Sequence, residues 1–257
     1  AASDVYKRQG LPVKRALLFI LFPLTAIVLI LSLPRTAVAV NRLDVLVIYA
    51  LLTALSLTYG IILTDRQQLS SAHGIGMLAF LSLPFTAIGG VTWALAIGAV
   101  LAELIHAVQD RRAGHYPLEF RHRWRTISTV ARIIVPFYVA GVVYQAIGGV
   151  LPLNNLTLAA APQLTAYFLT YVALYMAIFL LEMWRQNLPI NHLRDNLAEI
   201  LIALGLPIPF TLLGSEVFNN GSNILFAVFI AGFAVLVISP HMISTTQRRL
   251  RTQVDNY

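Results

Sequence analysis

The feature that most constrains this chain is a series of apolar stretches, several of which approach the length that crosses a bilayer. They occupy roughly residues 16–33, 44–63, 73–85, 88–108, 127–149, 163–184, 197–217 and 223–243. A helix needs about 20 apolar residues to span the hydrocarbon of a membrane. Only 11% of the 257 residues are charged, whereas soluble domains carry about 25%. The sequence therefore predicts an all-α, polytopic transmembrane helix bundle.

The stretch over residues 73–108 is apolar throughout but is broken by Pro84 and by the Gly89–Gly90 pair. Residues 73–85 are too few to cross the hydrocarbon unless the bilayer thins, so they form either a short span or a re-entrant helix. The prediction is therefore seven or eight spans, including a broken hairpin at 73–108. Small residues recur every four positions in this stretch, which lets helix backbones approach closely. They are Thr86, Gly90, Ala94, Gly98 and Ala102.

Lysine and arginine are concentrated in alternate connecting segments. Segments 64–72, 109–126, 185–196 and 244–257 carry one, five, two and three of them. Cytoplasmic loops of membrane proteins are enriched in these residues. We therefore expect a multi-pass protein of the cell membrane, such as the bacterial inner membrane, with both termini in the cytoplasm.

Three parts of the chain are distinguished by composition. Ser3–Gln9 resembles an adapter-derived peptide that occurs in translated sequencing assemblies, so residues 1–9 are expected to be non-native. Residues 10–243 form the predicted transmembrane domain, and residues 244–257 begin a polar, basic linker helix in the cytoplasm. Apolar residues recur at seven-residue spacing there, which favours the start of a coiled coil and a homodimer. The chain is interpreted as a fragment of a larger protein.

The largest group of basic residues lies in segment 109–126, and its arginines are Arg111, Arg112, Arg121, Arg123 and Arg125. In a membrane protein such a segment fixes orientation and attracts anionic lipids at the cytoplasmic face. The net charge of +7 is therefore explained by basic residues that contact the lipid bilayer. No nucleic-acid partner is predicted.

Motifs for catalysis and metal binding are missing from the sequence. Glu103 and His106 have the Glu-x-x-His spacing of di-metal sites in helix bundles, but those sites need a second copy and further carboxylates. The chain has no cysteine, no Gly-x-Ser-x-Gly, no His-Glu-x-x-His and no phosphate-binding loop. We therefore predict no enzyme activity, no metal site and no cofactor.

Two charged residues fall inside predicted spans. Glu103 and Arg132 lie at similar depths in consecutive spans, where a charge is costly unless it is paired or reaches the interface. One interpretation is an ion pair that joins the two helices. The other is that each side chain extends separately to the interface.

Polar aromatic residues mark a possible binding face on the fifth and sixth spans. Gln163, Tyr167 and Tyr171 recur every four residues and so share one side of a helix. Tyr144 and Gln145 lie toward the outer end of the preceding span. These five residues are predicted to bind a ligand in an apolar cavity with a few polar groups. The alternative is that they serve helix packing and anchoring at the interface.

The chain also resembles a known class of membrane region. The similarity is carried by the broken hairpin "HGIGMLAFLSLPFTAIGGVTWALAIGAVLAEL", by "STVARIIVPFYVAGVVYQAIGG" and by the basic segment after the last span. This order resembles the membrane-associated sensor (MASE-type) regions of bacterial signalling proteins and extends over residues 16–250. The resemblance implies a sensory input module followed by a cyclic-di-nucleotide synthase, phosphohydrolase or histidine-kinase output domain. A second resemblance, to substrate-binding subunits of vitamin transporters, gives the alternative function.

Overall fold

The described part of the chain is helical. A computed structural model describes residues 20–33, 43–58, 88–112, 119–151, 158–186, 224–225 and 227–232. Its main helices are α1 (Ile20–Ser32), α2 (Leu43–Thr58), α3 (Ile88–Arg112), α4 (Glu119–Ala146) and α5 (Ala161–Gln186). A 3-10 turn, Leu158–Ala160, precedes α5 directly, and residues 227–232 are helical. The all-helical class predicted from the sequence is confirmed.

Three helical segments are long and apolar enough to cross a membrane, namely Ile88–Gln109, Ile127–Ala146 and Leu158–Leu181. Two shorter apolar helices, Ile20–Ser32 and Leu46–Thr58, accompany them. By length and composition, this is a multi-pass membrane protein. The predicted segments 73–85 and 197–217, most of 223–243, and the whole of 1–9 and 244–257 lie outside the described residues.

The helices pack in the order α2, α3, α4 and α5. Ile88 at the start of α3 lies against Gly141 near the end of α4. Glu103, toward the other end of α3, contacts Thr129 in the first half of α4. These two contacts show that α3 and α4 run antiparallel. α3 packs on both α2 and α4, and α4 packs on both α3 and α5.

Small residues bring α2 and α3 into close contact. Gly98 of α3 faces the Ala50 carbonyl and the Thr53 side chain of α2. A Cβ atom at position 98 would overlap that carbonyl and would lie 2.6 Å from Thr53 Cβ. Gly90, Ala94 and Ala102 are also buried. The four-residue spacing of small side chains thus serves helix packing, as the sequence predicted; Thr86 lies outside the described residues.

One side of α3 faces outward and is apolar, in contrast to its buried side. Its exposed large side chains are Ile97, Val100, Leu101, Leu104, Ile105 and Val108. Exposed leucine and isoleucine side chains also occur on α1, α2 and α5. A contiguous apolar surface of this kind is disfavoured in water and is the surface that lipid tails contact. The bundle is therefore apolar on both its inner and its outer sides.

Hydroxyl groups inside the helices bond to their own backbone. Thr25, Thr53 and Thr92 each donate to the carbonyl four residues earlier, at 2.6 to 2.8 Å. This bond satisfies a polar group where no water is present. These three threonines are therefore satisfied within their own helices.

The basic segment between α3 and α4 is more helical than the sequence predicted. α3 continues to Arg112 and α4 begins at Glu119, so residues 113–118 alone separate them. His122, which belongs to the predicted connecting segment 109–126, lies within α4. Arg111 and Arg112 are exposed in the last turn of α3, where positive charge complements the helix dipole. The side chains of Arg121, Arg123 and Arg125 lie outside the described set.

Candidate functional site

The C-terminus of α4 is closed by a glycine cap that positions Tyr144. Gly148 has a φ of +88°, and its N–H donates to the Gln145 carbonyl at 3.1 Å. The N–H of Gly149 donates to the Tyr144 carbonyl at 2.9 Å. This pair of bonds is the Schellman arrangement, which favours glycine at the left-handed position. It explains why the helix ends at Ala146, three residues before the predicted end.

Gly148 provides a direct test of this cap. Replacing Gly148 with alanine is expected to lower the free energy of unfolding by about 1 kcal/mol, because a Cβ is disfavoured at positive φ. No atom lies within 4 Å of a Cβ built at this position, so the cost comes from the backbone alone. The measurement is unfolding by SDS in mixed micelles. Gly148→Asn is the control and should lose less, since asparagine tolerates the left-handed region; equal losses would contradict this account.

The cap also fixes the ring of Tyr144. The ring packs on Gly149, where a Cβ would overlap it, and the hydroxyl donates to the Val150 carbonyl at 3.3 Å. Tyr144 is 1% exposed. The side chain is thus held at both its face and its hydroxyl at one end of α4.

Tyrosines from three helices meet next to this cap. Tyr167, Tyr171 and Tyr175 lie on one side of α5, with stacked rings whose centroids are 6.4 and 6.2 Å apart. Tyr144 of α4 meets Tyr167 edge to face, at a centroid distance of 6.3 Å. Tyr49 of α2 is close enough to Tyr167 for their hydroxyls to interact electrostatically. All five are buried, and we call them the tyrosine cluster.

The structure brings together three of the five residues predicted to bind a ligand. Tyr144, Tyr167 and Tyr171 belong to the tyrosine cluster. Gln145 is exposed and does not join it. The amide of Gln163, oriented to donate, reaches the carbonyls of the 3-10 turn at 2.8 and 3.2 Å. The use of this face for a ligand stays a prediction.

The predicted site omitted two members of the cluster, namely Tyr175, one turn beyond Tyr171 on α5, and Tyr49. Tyr49 is a single tyrosine within the apolar run of α2, and it has no tyrosine one turn away to signal a shared face. Its membership follows from the close approach of α2 to α3, which the spacing of small residues did predict. A lone tyrosine in the middle of an apolar span was the available signal.

A buried polar group lies between α3 and α4. Glu103 and Arg132 are 4% and 8% exposed, and both lie about 8 Å inside their spans at 1.5 Å per residue. Thr129, one turn before Arg132, donates its hydroxyl to Glu103 Oε1 at 3.3 Å. The predicted depth and helix assignment of the two charged residues agree with the structure. The ion pair between them stays a prediction.

The buried polar group is connected to the tyrosine cluster through Arg132. The positive charge of Arg132 is close enough to act on the Tyr171 hydroxyl of α5. The Tyr171 hydroxyl is buried and has no hydrogen-bond partner among the described residues. Glu103, Thr129, Arg132 and Tyr171 are therefore four buried polar residues on neighbouring helices of an otherwise apolar bundle.

A proline inside α4 weakens the middle of this helix. Pro136 lies within the helix, one turn beyond Arg132. Proline has no N–H to donate to the carbonyl four residues earlier, and its ring disturbs the preceding turn. The helix is therefore less resistant to bending between the buried polar group and Tyr144.

Metal-binding residues do not cluster in the part of the chain that the structure describes. No group of three His, Asp or Glu side chains there comes close enough to hold a metal ion. Glu103 and His106 both lie on α3. A second Glu-x-x-His, Glu119 and His122, occurs at the start of α4, and its side chains lie outside the described set.

Comparison of the chain with family models, with curated proteins and with solved structures gave no match. The functional interpretation therefore depends on the residues of the chain itself, above all on the tyrosine cluster and the buried polar residues on the neighbouring helices.

Proposed function

We propose that the chain is the membrane-embedded input module of a signalling protein and that its stimulus acts at the tyrosine cluster. The observation that carries the proposal is the convergence of five buried tyrosines from α2, α4 and α5 inside an apolar bundle. Tyrosine offers an apolar ring and a hydroxyl on one side chain. A site built from several of them combines an apolar surface with a few polar groups, as small-molecule sites generally do.

The proposed response is a change in the angle of α4. Tyr144 lies on the segment beyond Pro136 and contacts Tyr167 of α5. A bound molecule shifts such an equilibrium only through its different affinity for two arrangements. A difference of about 1.4 kcal/mol changes their ratio tenfold, and one or two buried hydrogen bonds contribute about that much. The shift would reach an output domain through the later segments, including 223–243 and the linker at 244–257.

The gene itself provides the first test of the proposal. In the complete open reading frame we expect an output domain that follows the linker at 244–257. The resemblance to membrane-associated sensor regions supports this expectation. A reading frame without such a domain, next to genes for a transporter ATPase pair, would support the vitamin-transporter alternative and contradict the sensory proposal.

The second test is functional. Changing both Tyr167 and Tyr171 to phenylalanine in the intact protein is expected to reduce the response of the output domain to its stimulus by about tenfold, because two hydroxyls are removed from the site. The measurement is output activity in membranes with and without stimulus.

Tyr138→Phe is the matched control for this experiment. The hydroxyl of Tyr138 donates to the Leu31 carbonyl of α1 at 3.2 Å, so this hydroxyl is already used within the protein. The control should keep its response to the stimulus. A folded Tyr167→Phe, Tyr171→Phe double variant with an unchanged response would place the input site elsewhere.

A further inference from the structure

The Tyr171 hydroxyl is a buried hydrogen-bond donor that the described residues do not use. Tyr171 is 1% exposed, and its ring lies between those of Tyr167 and Tyr175. Its hydroxyl has no hydrogen-bond partner. Leaving a buried donor unsatisfied is costly, and most such groups in native proteins have a partner. The position therefore points to an acceptor that the described residues do not supply.

Arg132 of α4 brings positive charge to this hydroxyl. Its guanidinium carries five N–H donors and no acceptor. Glu103 is the only buried carboxylate among the described side chains; its Oε1 accepts from Thr129, and its Oε2 is a further buried acceptor. An acceptor atom that entered beside Tyr171 would be stabilised by the charge of Arg132.

The charges of the region limit the class of molecule that can carry this acceptor atom. Glu103 and Arg132 together carry no net formal charge, and a further charge buried at this depth would be costly. A neutral carbonyl oxygen accepts from a tyrosine hydroxyl without adding charge. The tyrosine rings supply flat apolar surfaces against which another planar ring packs favourably.

The lipid phase is the direction from which such a molecule would enter. Of the most apolar part of the Leu158–Leu181 span, 28% is buried, against 78% for Ile127–Ala146. Of the three candidate spans, the one in α5 is therefore the most open to its surroundings. Tyr171 lies on the side of α5 that faces α4, so separation of these two helices would expose its hydroxyl to a molecule dissolved in the bilayer.

We propose that Tyr171 and Arg132 form a subsite for a neutral, planar aromatic carbonyl compound of the quinone class, taken up from the bilayer. The Tyr171 hydroxyl donates to a carbonyl oxygen of the compound, and its ring system lies against the tyrosine cluster. This assignment rests on the proposed function, because it names the ligand class of the same site. Binding involves no covalent or redox step, and the absence of cysteine from the chain removes thiol addition as a competing reaction.

The test is equilibrium binding of tritiated menadione to the intact chain in lipid nanodiscs, with empty nanodiscs subtracted. Naphthalene, which has the same two fused rings but no carbonyl, is the matched competitor. Wild-type protein is expected to bind menadione saturably, and naphthalene should compete at least roughly tenfold less well. Tyr171→Phe should bind menadione roughly tenfold more weakly, since it lacks the donor.

Two controls keep the result interpretable. Tyr171→Phe removes an oxygen that lacks a protein partner, so this variant is expected to fold as well as the wild type, as judged by circular dichroism and SDS unfolding. Tyr138→Phe, whose hydroxyl is already used by Leu31, should bind menadione as the wild type does. Wild-type protein that binds no menadione, equal binding by Tyr171→Phe, or equal competition by naphthalene would each overturn the subsite.

The two proposals fail in different ways. If menadione does not bind but Tyr167→Phe, Tyr171→Phe still loses its response, the ligand class is wrong and the sensory role stands. If menadione binds through the Tyr171 hydroxyl but the double variant responds normally, the subsite is correct and the sensory role is wrong.

Discussion

Replacing Gly98 with leucine is expected to lower the free energy of unfolding by about 3 kcal/mol, the upper end of the usual cost of overpacking. Any side chain at this position meets the backbone of α2, since even a Cβ would overlap the Ala50 carbonyl. Neither helix can yield without losing its contact with the other. The measurement is unfolding by SDS in mixed micelles, followed by circular dichroism, and Gly98→Ala should give an intermediate loss.

Gly232 is the matched control for this substitution. It also lies at a helical position, but a Cβ there would have no atom within 4 Å. Gly232→Leu is expected to change the free energy of unfolding by no more than about 0.5 kcal/mol, as at an ordinary surface site. If Gly98→Leu is as stable as this control, α2 and α3 do not pack at Gly98.

Replacing Glu103 with glutamine is expected to lower the free energy of unfolding by about 3 kcal/mol or more, provided that the predicted ion pair with Arg132 forms. Removal of one member of a buried pair leaves the other charge uncompensated in a medium of low dielectric constant. Both side chains are buried on adjacent helices, so water cannot replace the lost interaction fully. SDS unfolding of the variant against the wild type provides the measurement.

Two further variants separate the ion pair from its surroundings. Thr129→Val keeps the shape of the side chain and removes only the hydrogen bond to Glu103 Oε1, so a loss of about 1 kcal/mol is expected. The exchange Glu103→Arg with Arg132→Glu should recover part of the stability that either single replacement loses. Single variants as stable as the wild type would show that the two charges are not paired.

The positions of the central helices were predictable from hydropathy alone. The apolar stretches predicted at 88–108, 127–149 and 163–184 correspond to α3, α4 and α5. Their ends were less predictable, because a hydropathy pattern reports where the membrane ends and not where the helix does. Arginine and glutamate favour a helix outside the membrane too. α4 therefore begins at Glu119, before the apolar stretch that starts at residue 127. Its other end is set by backbone geometry at Gly148.

The candidate site was predictable to the extent that it depends on spacing along one helix. Tyr167 and Tyr171 share a face because they are four residues apart, and the structure buries both. Gln145 follows Tyr144 directly, which turns its side chain about 100° away around the helix, and it is exposed. Contacts between helices have no local pattern, so neither the position of Tyr49 nor the approach of Arg132 to Tyr171 was predicted.

The hydrogen bond between Tyr138 and the Leu31 carbonyl has a consequence for biosynthesis. Leu31 lies in the last turn of α1, where carbonyls lack partners within the helix, and its tyrosine donor is 107 residues further along the chain. α1 is therefore inserted long before the residue that fixes its end has been translated. The bond that holds this end of α1 can therefore form only after α4 has entered the bilayer, which places it among the late steps of assembly.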